Sequence, residues 1–161
     1  MEGDVVNVRM AEMRMVESSR SLKTILGSCV GVILHDPQRR ISALAHVMLP
    51  RRTRGDSSVG KYADTAVPAL LDMLAGKGSR PSSLRAYLIG GARMFPVESD
   101  DIGSIGDQNV AAARTALQEM AVPVVFEDTG GSRGRTVVFD NQSGEVSVRM
   151  LNPTGGGGGR S

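Results

Sequence analysis

Hydrophobic and polar residues alternate along the first part of the chain with the period of a β-strand. In residues 5–16, VVNVRMAEMRMV, the side chains of Val6, Val8 and Met10 fall on one side of the alternation. This pattern predicts a strand that opens a sheet. After the polar segment ESSRS, residues 22–26 predict a second, short strand or a connector.

Longer apolar runs predict further strands. Residues 29–36 (CVGVILHD) and 41–49 (ISALAHVML) are apolar on both faces, which is typical of strands that are covered on each side of a sheet. Residues 84–91 (LRAYLIGG) predict a strand that runs into paired glycines. The turn signals TGGSRG and NQSG separate three more predicted strands near the C-terminus. These span residues 122–128, 135–140 and 145–151.

Two segments show apolar residues at helical spacing. Residues 61–74 (KYADTAVPALLDML) predict a helix that is bent at Pro68 or begins near it, because proline removes one helical hydrogen bond. Residues 107–120 (DQNVAAARTALQEM) predict the clearest helix, with Asp107 as its N-cap. Together the elements predict an α/β (α+β) layered sandwich, in which mostly antiparallel sheets pack against two main helices.

Length and composition limit the class of protein. The 161 residues fit a single domain, expected at residues 1–152, followed by a glycine-rich tail at 153–161 that is expected to be disordered. Lys and Arg total 19 against 17 Asp and Glu, and 3% of the residues are aromatic, so nucleic-acid binding is not indicated. No apolar run approaches the about 20 residues of a membrane span, so no direct membrane insertion is expected. A cytoplasmic, reducing compartment is predicted.

Cys29 is the single cysteine of the chain, so an internal disulfide is excluded. One cysteine and two histidines are too few for a tetrahedral zinc site, and no metal is predicted. A free cysteine in an apolar strand is more often a buried packing residue than a nucleophile, which needs a neighbour that favours the thiolate. Gly27 and Ser28 precede Cys29 and would let backbone amides approach a bound carbonyl, as an oxyanion hole requires.

The turn between the two longest apolar runs suggests a partner for Cys29. Asp36 followed by Pro37 is the preference of a type I turn. If Asp36 pairs with Arg39, the two strands form a hairpin in which Cys29 lies opposite His46 on the same face of the sheet. A slip of one residue would place the two side chains on opposite faces.

Two interpretations of this pair follow from the residues, and the pattern leaves both open. In one, Cys29 and His46 fill the core of a sheet. In the other, His46 activates Cys29 as a nucleophile. The second histidine, His35, lies beside the turn and is interpreted as a solvated or turn-stabilising residue.

Seven ordered segments are similar to one known family. They are LGSCVGVILHDP, ALAHVMLP, KYADTAVPALL, GGARMF, IGDQNVAAAR, EDTGGSRGRTVVFD and GEVSVR, and they extend from residue 22 to residue 149. In this order they resemble the chemoreceptor glutamine deamidase CheD family. The resemblance implies an α/β sandwich related to the catalytic domains of cytotoxic-necrotizing-factor toxins.

The resemblance also implies an activity and its residues. Members hydrolyse selected glutamine side-chain amides of methyl-accepting chemotaxis receptors to glutamate and ammonia, through a cysteine thioester and without a cofactor. The family's nucleophile matches Cys29 and its histidine matches His46. The family's orienting threonine falls on Lys23, so the imidazole would be held by Thr24, by a backbone carbonyl or by another hydroxyl.

The same resemblance allows two other functions. One is a non-catalytic chemotaxis module that binds a CheC-type phosphatase. The other is a receptor methylesterase that uses the same thioester chemistry. Ammonia release from a purified receptor would distinguish the deamidase from the binding module, and methanol release would identify the esterase.

Overall fold

The computed structural model describes residues 4–94 and 103–152. Within these ranges the chain forms two α-helices, α1 (Ala63–Ala75) and α2 (Ile105–Glu119). Short 3-10 turns lie at Val59–Lys61 and Pro81–Ser83. The strands are β1 (Val5–Asn7), β2 (Met13–Glu17), β3 (Ser21–Leu26), β4 (Val30–Asp36), β5 (Ile41–Val47), β6 (Arg85–Gly90), β7 (Val124–Thr129), β8 (Arg135–Asp140) and β9 (Glu145–Met150).

The described strands form two sheets. The five-stranded sheet has the order β2-β5-β4-β6-β7, and the four-stranded sheet has the order β1-β3-β8-β9. Adjacent strands are antiparallel except in the pairs β1/β3 and β6/β7, which are parallel. The predicted layered α+β architecture, with mostly antiparallel sheets and two main helices, is therefore confirmed.

Two hydrophobic cores hold the layers together. One lies between the helices and the five-stranded sheet and includes Leu34 and Leu70. The other lies between the two sheets and includes Ile33 and Phe139. Because successive side chains of a strand point to opposite faces, β4 contributes alternate residues to each core. Every residue of β4 and β5 is buried, which explains why both runs are apolar on both faces.

The first predicted strand is wrong as a single element, because the chain crosses between the sheets there. β1 belongs to the four-stranded sheet, whereas β2 belongs to the five-stranded sheet. Residues 8–12 make the crossing, with Ala11 in the left-handed region at φ +67°. Val6 and Val8 are buried, but Met10 is 62% exposed. The alternation of side chains cannot reveal that the two halves of a run pair with different neighbours.

The predicted hairpin forms, but its register differs from the prediction by two residues. Asp36 pairs with Ile41 instead of Arg39. The carboxylate of Asp36 accepts hydrogen bonds from the backbone N–H groups of Gln38 and Arg39, at 3.1 and 3.2 Å, and Arg40 adopts φ +53°. The turn therefore contains four residues between the strands, two more than the type I turn assumed from the sequence.

This shift changes the residue that lies opposite His46. Gly31 occupies that position, so the predicted direct pairing of Cys29 with His46 is wrong. A shift of two residues nevertheless keeps the same face of a strand, because side chains alternate with a period of two. Cys29 packs against the core between the sheets, and His46 lies on the same face of β5 as Leu44, which belongs to that core.

Both predicted helices are present, but their N-terminal ends differ from the prediction. Helix α1 begins at Ala63 and contains Pro68 in its interior, so it does not begin near the proline. The N-cap of α2 is Ser104 rather than Asp107. Ser104 Oγ accepts a hydrogen bond from the N–H of Asp107 at 3.0 Å, and the carboxylate of Asp107 accepts one from the N–H of Ser104 at 3.4 Å. This reciprocal pair is a capping box.

Some expectations concern the chain as a whole. The tail expected to be disordered, residues 153–161, lies outside the described residues. The single domain at residues 1–152 stays a prediction. In the part of the chain that the structure describes, no helix has the length and apolar character needed to cross a membrane.

Ser104→Ala tests the N-cap of α2. Loss of the hydroxyl leaves the N–H of Asp107 without its acceptor, and we expect the free energy of unfolding to fall by about 1 kcal/mol. Gln118→Ala, at an exposed position of the same helix, is the control and should change the stability little. Urea denaturation followed by circular dichroism measures both variants. Equal stabilities of the two variants would contradict the assignment of Ser104.

Candidate active site

Cys29 lies in the short loop that joins β3 to β4. This loop, residues 27–29, follows the last residue of β3 directly and ends at the first residue of β4. The thiol is partly buried and packs against the core between the sheets. Burial raises the pKa of the Cys29 thiol, because it disfavours the charged thiolate. The thiol form therefore predominates at neutral pH.

His46 lies on β5 and is 4% exposed. The segment that crosses between the sheets fixes its backbone, since Ala11 N–H donates to the His46 carbonyl and His46 N–H donates to the Glu12 carbonyl, both at 3.0 Å. Burial lowers the pKa of His46, and the Val8 carbonyl and the Glu12 carboxylate oppose this shift without cancelling it. The neutral imidazole therefore predominates near pH 7.

Thr24 of β3 contacts the imidazole from the opposite sheet. Its hydroxyl donates to the Val8 carbonyl at 2.7 Å and lies 2.8 Å from Nδ1 of His46. A hydroxyl has one proton, so Thr24 must accept its second hydrogen bond from Nδ1–H. This assigns the Nδ1–H tautomer and leaves a lone pair on Nε2. Lys23, on which the family's threonine falls, points to the other face of β3. The side chain that lies against the ring is therefore that of Thr24.

Gly31 is the cross-strand neighbour of His46 and leaves the space beside it free of a side chain. A Cβ at this position would lie 3.2 Å from Cδ1 of Leu26 and 3.8 Å from the methyl group of Thr24. The glycine therefore lets β3 pack closely against β4 beside the imidazole. Sequence analysis missed this role, although a glycine inside an apolar strand is a known signal of a close approach.

Cys29 and His46 share a face without being directly opposed. If the register of β4 and β5 continued past Val30, Cys29 would lie opposite Met48, two residues from His46. Such diagonal neighbours are about 7 to 8 Å apart. Within residues 4–94 and 103–152, the imidazole is hydrogen-bonded to Thr24 and not to the thiol. Contacts of this kind often close only when substrate is bound.

All three carbonyl groups of the Cys29 loop are held by hydrogen bonds. Those of Gly27 and Cys29 accept from the backbone N–H groups of the segment that follows β6, at 3.0 and 2.9 Å. The carbonyl of Ser28 accepts from the side-chain amide of Asn109, on α2, at 3.1 Å. The loop that was predicted to offer backbone amides is therefore anchored through its carbonyls. Sequence analysis did not identify Asn109.

The GGARMF segment, residues 90–95, borders this loop, although its last residue lies outside the described ranges. Gly90 adopts φ +109°, and a Cβ there would collide with the carbonyl oxygen of Cys29. The next residue, Gly91, donates its N–H to that same carbonyl. Glycine at residue 90 therefore permits the close approach of β6 to the Cys29 loop.

Arg135, at the start of β8, organises the backbone behind the loop. It is 2% exposed, and its guanidinium donates to the carbonyls of Gly90 at 2.8 Å, of Asp128 at 2.7 Å and of Gly130. The Asp128 carboxylate lies 3.7 Å away and balances its charge. A buried cation needs such partners, so Arg135 fixes the ends of β6 and β7 relative to each other. No local pattern in the sequence distinguishes this arginine.

His35 lies apart from this site, at the other end of the hairpin. It is 3% exposed, so the solvated interpretation is wrong. Its Nδ1 lies 2.9 Å from the hydroxyl of Ser42, which donates to Oδ1 of Asn141. This network ties the hairpin to the four-stranded sheet, in agreement with a turn-stabilising role. Among the described residues, no three His, Cys, Asp or Glu side chains are grouped as a metal site would require.

Comparisons with known proteins identify the family. Residues 48–150 match the family model described as CheD chemotactic sensory transduction. The probable chemoreceptor glutamine deamidase CheD of Methanococcus vannielii is 44% identical over 149 residues, which cover 92% of this chain and 96% of the relative. The chemoreceptor glutamine deamidase CheD of Halalkalibacterium halodurans is 40% identical over 153 residues, which cover 92% of this chain and 94% of the relative. The family-model match begins at residue 48, after Cys29 and His46, whereas the two relatives each cover 92% of the chain.

A solved structure supports the fold. The crystal structure of a Neisseria meningitidis protein of the DUF152 family has a TM-score of 0.53 at 12% identity, and it covers 86% of this chain and 75% of that chain. This likeness concerns the fold alone. Fold and site together define a layered α+β protein with a candidate cysteine–histidine site between its sheets. The chain belongs to the CheD family.

Thr24→Val tests the assigned tautomer of His46. The variant keeps the shape of the side chain but removes the hydroxyl, so the population of the Nδ1–H tautomer should fall and the free energy of unfolding should decrease by about 1 to 3 kcal/mol. Nitrogen-15 NMR of the imidazole measures the tautomer. Thr24→Ser retains the hydroxyl and is the control. An unchanged His46 spectrum in Thr24→Val would contradict the assignment.

Proposed function

We propose that this chain is a chemoreceptor glutamine deamidase in which Cys29 is the nucleophile and His46 the general base. Two relatives that match more than nine-tenths of the chain are named as such enzymes, one of them as a probable one. The structural observation that supports the proposal is the Thr24–His46 hydrogen bond, because it leaves Nε2 unprotonated on the face that Cys29 shares. The substrate would be the side-chain amide of a receptor glutamine.

The first half of the reaction forms a thioester. Nε2 of His46 takes the proton of the Cys29 thiol, and the sulfur attacks the amide carbon of the substrate. A C–S bond forms, and the carbonyl oxygen becomes an oxyanion. The imidazolium then gives its proton to the amide nitrogen, the C–N bond breaks and ammonia leaves.

Water completes the reaction. Nε2 of His46 takes a proton from a water molecule as the oxygen attacks the thioester carbon. The C–S bond breaks, a glutamate side chain is released, and the proton on His46 returns to the sulfur of Cys29. Both residues regain their starting states, so the cycle consumes water and needs no cofactor.

Backbone amides of the Cys29 loop would stabilise the oxyanion. In a trans peptide the N–H points away from the preceding C=O, and the described chain contains no cis peptide bond. Because the carbonyl of Gly27 points to the segment that follows β6 and that of Ser28 points to α2, the N–H groups of Ser28 and Cys29 point away from these elements. A donor of this kind contributes about 3 to 4 kcal/mol of transition-state stabilisation in other enzymes.

The resting pair is proposed to be neutral. Burial raises the pKa of Cys29 and lowers the pKa of His46, and both shifts disfavour a thiolate–imidazolium pair. His46 would therefore act as a base during the attack rather than by holding a preformed thiolate.

Partner and compartment are also proposals. A free cysteine in the chain supports the reducing cytoplasm as its compartment. The CheC-type phosphatase expected as a second partner is supported by the family resemblance, and direct binding of the purified proteins would test it. Methanol release from a methylated receptor, without ammonia release, would favour the esterase function instead.

Substitution of the two proposed catalytic residues tests the reaction. Cys29→Ala should abolish ammonia release from purified receptor, and His46→Gln should lower it about 100-fold or more. His35→Gln is a matched control, because His35 is also buried and its Nδ1 also contacts a hydroxyl, at 2.9 Å. This control should lose stability but keep its kcat. Ammonia release by Cys29→Ala would refute the proposed nucleophile.

The pH dependence of kcat/KM tests the neutral base. Only the neutral imidazole accepts a proton, so activity should rise as pH increases through the pKa of His46. Because burial lowers this pKa, the acid limb should lie below the ordinary histidine value of 6.5. Ammonia release measured across a pH series gives the limb, and circular dichroism at each pH excludes unfolding as its cause. An acid limb above 6.5 would contradict the neutral base.

A further inference from the structure

A buried asparagine of α2 touches both segments that carry the proposed catalytic groups. The side-chain nitrogen of Asn109 lies 3.1 Å from the carbonyl oxygen of Ser28 and 3.0 Å from that of Met48. Ser28 directly precedes Cys29, and Met48 follows His46 by two residues. One amide group therefore ties the Cys29 loop to the residue that directly follows β5.

The orientation of this amide follows from its partners. Carbonyl oxygens accept hydrogen bonds and cannot donate them, so the NH2 group of Asn109 must face both. The side chain is fully buried, and within the described ranges no group donates to its Oδ1. A buried acceptor without a partner lowers stability. The presence of asparagine here is therefore not explained by stability alone.

Close packing of α2 brings Asn109 to this position. A Cβ at Gly106, in the first turn of α2, would collide with the carbonyl oxygens of Gly91 and Ala92. The backbone N–H groups of these same two residues donate to the carbonyls of the Cys29 loop. The helix, the segment after β6 and the loop therefore pack as one unit, and Asn109 connects this unit to β5.

We propose that Asn109 is a positioning residue for deamidation. It holds the Ser28–Cys29 peptide in the orientation that directs its N–H at the substrate, and it holds this peptide at a fixed distance from the strand of His46. The inference rests on the proposed function and adds to it a residue that acts through Cys29 and His46 without touching the substrate. A misplacement of about 1 Å in such an arrangement can lower the rate about 100-fold.

Asn141 provides a matched control in the same chain. It is also fully buried, and its side-chain nitrogen donates to the carbonyls of Ser18 and Arg40 at 2.7 and 2.8 Å. It bonds next to the turn of the β4–β5 hairpin, at the opposite end from Cys29. Asn141→Ser removes two hydrogen bonds of the same kind, together with the one that Asn141 Oδ1 accepts from Ser42, and leaves the candidate site untouched.

The experiment compares Asn109→Ser and Asn109→Asp with Asn141→Ser and Asn141→Asp in the full chain. For the Asn109 variants, we expect kcat for ammonia release from purified receptor to fall about 100-fold, with KM changed by less than about 2-fold. Thermal melting gives the folded fraction, and Asn141 variants should keep the wild-type kcat per folded molecule. Asn109→Asp keeps the side-chain shape if Asn109→Ser fails to fold. A wild-type kcat in folded Asn109 variants would overturn the inference.

A second measurement does not need deamidase activity. The rate at which iodoacetamide alkylates Cys29 at neutral pH is compared with and without His46→Gln in three backgrounds: wild type, Asn109→Ser and Asn141→Ser. His46→Gln should slow alkylation by the same factor in wild type and in Asn141→Ser. In Asn109→Ser, the factor by which His46→Gln slows alkylation should be at least about 3-fold smaller.

The two measurements separate this inference from the proposed function. An unchanged factor in Asn109→Ser would overturn the positioning role of Asn109. If the wild-type protein releases no ammonia, but His46→Gln slows alkylation less in Asn109→Ser than in wild type, the deamidase function is refuted. The positioning of Cys29 and His46 by Asn109 would then still stand.

Discussion

The hydroxyl of Thr24 connects the packing of the sheets to the protonation of the candidate base. Because this hydroxyl has one proton and gives it to the Val8 carbonyl, it can only accept from His46, and the imidazole is left with its lone pair on Nε2. Val8 lies in the segment that crosses from one sheet to the other, and the same segment pairs with both backbone polar groups of His46. The crossing that divides the first predicted strand therefore also determines the tautomer of this candidate base.

A second set of hydrogen bonds fixes the backbone of the Cys29 loop. A loop that leaves backbone N–H groups unpaired for a substrate must be held rigid by its other polar groups, since a mobile donor has to be reoriented during the reaction. Here each carbonyl of the loop is bonded to the segment that follows β6 or to α2. Arg135 in turn bonds the carbonyl of Gly90, beside the residues that hold the loop. The rigidity of the loop thus comes from elements distant in the sequence.

Local patterns in the sequence predicted the later strands, both helices and the face of the thiol, but the predicted strand at residues 5–16 was wrong as a single element. Alternation and helical spacing predicted the layers, and the parity of the hairpin put Cys29 and His46 on one face, although the pairing itself was wrong by two residues. The error arose because an Asp36-Pro37 start does not specify the length of a turn. The contacts of Asn109 with Ser28 and Met48 join residues 81 and 61 positions apart, and no periodicity encodes such contacts.

Burial of the pair has a consequence for selectivity. The thiolate is the reactive form of cysteine toward oxidants and electrophiles, so a thiol whose pKa is raised by burial is protected from them. In the proposed mechanism, His46 takes the thiol proton as the sulfur attacks, and the backbone donors of the loop stabilise the oxyanion that forms on the amide. The binding geometry of the glutamine, rather than the thiol alone, then decides whether reaction occurs. A side chain that is not aligned with both the sulfur and the amides gains no such stabilisation, which suits an enzyme that modifies selected glutamines among many.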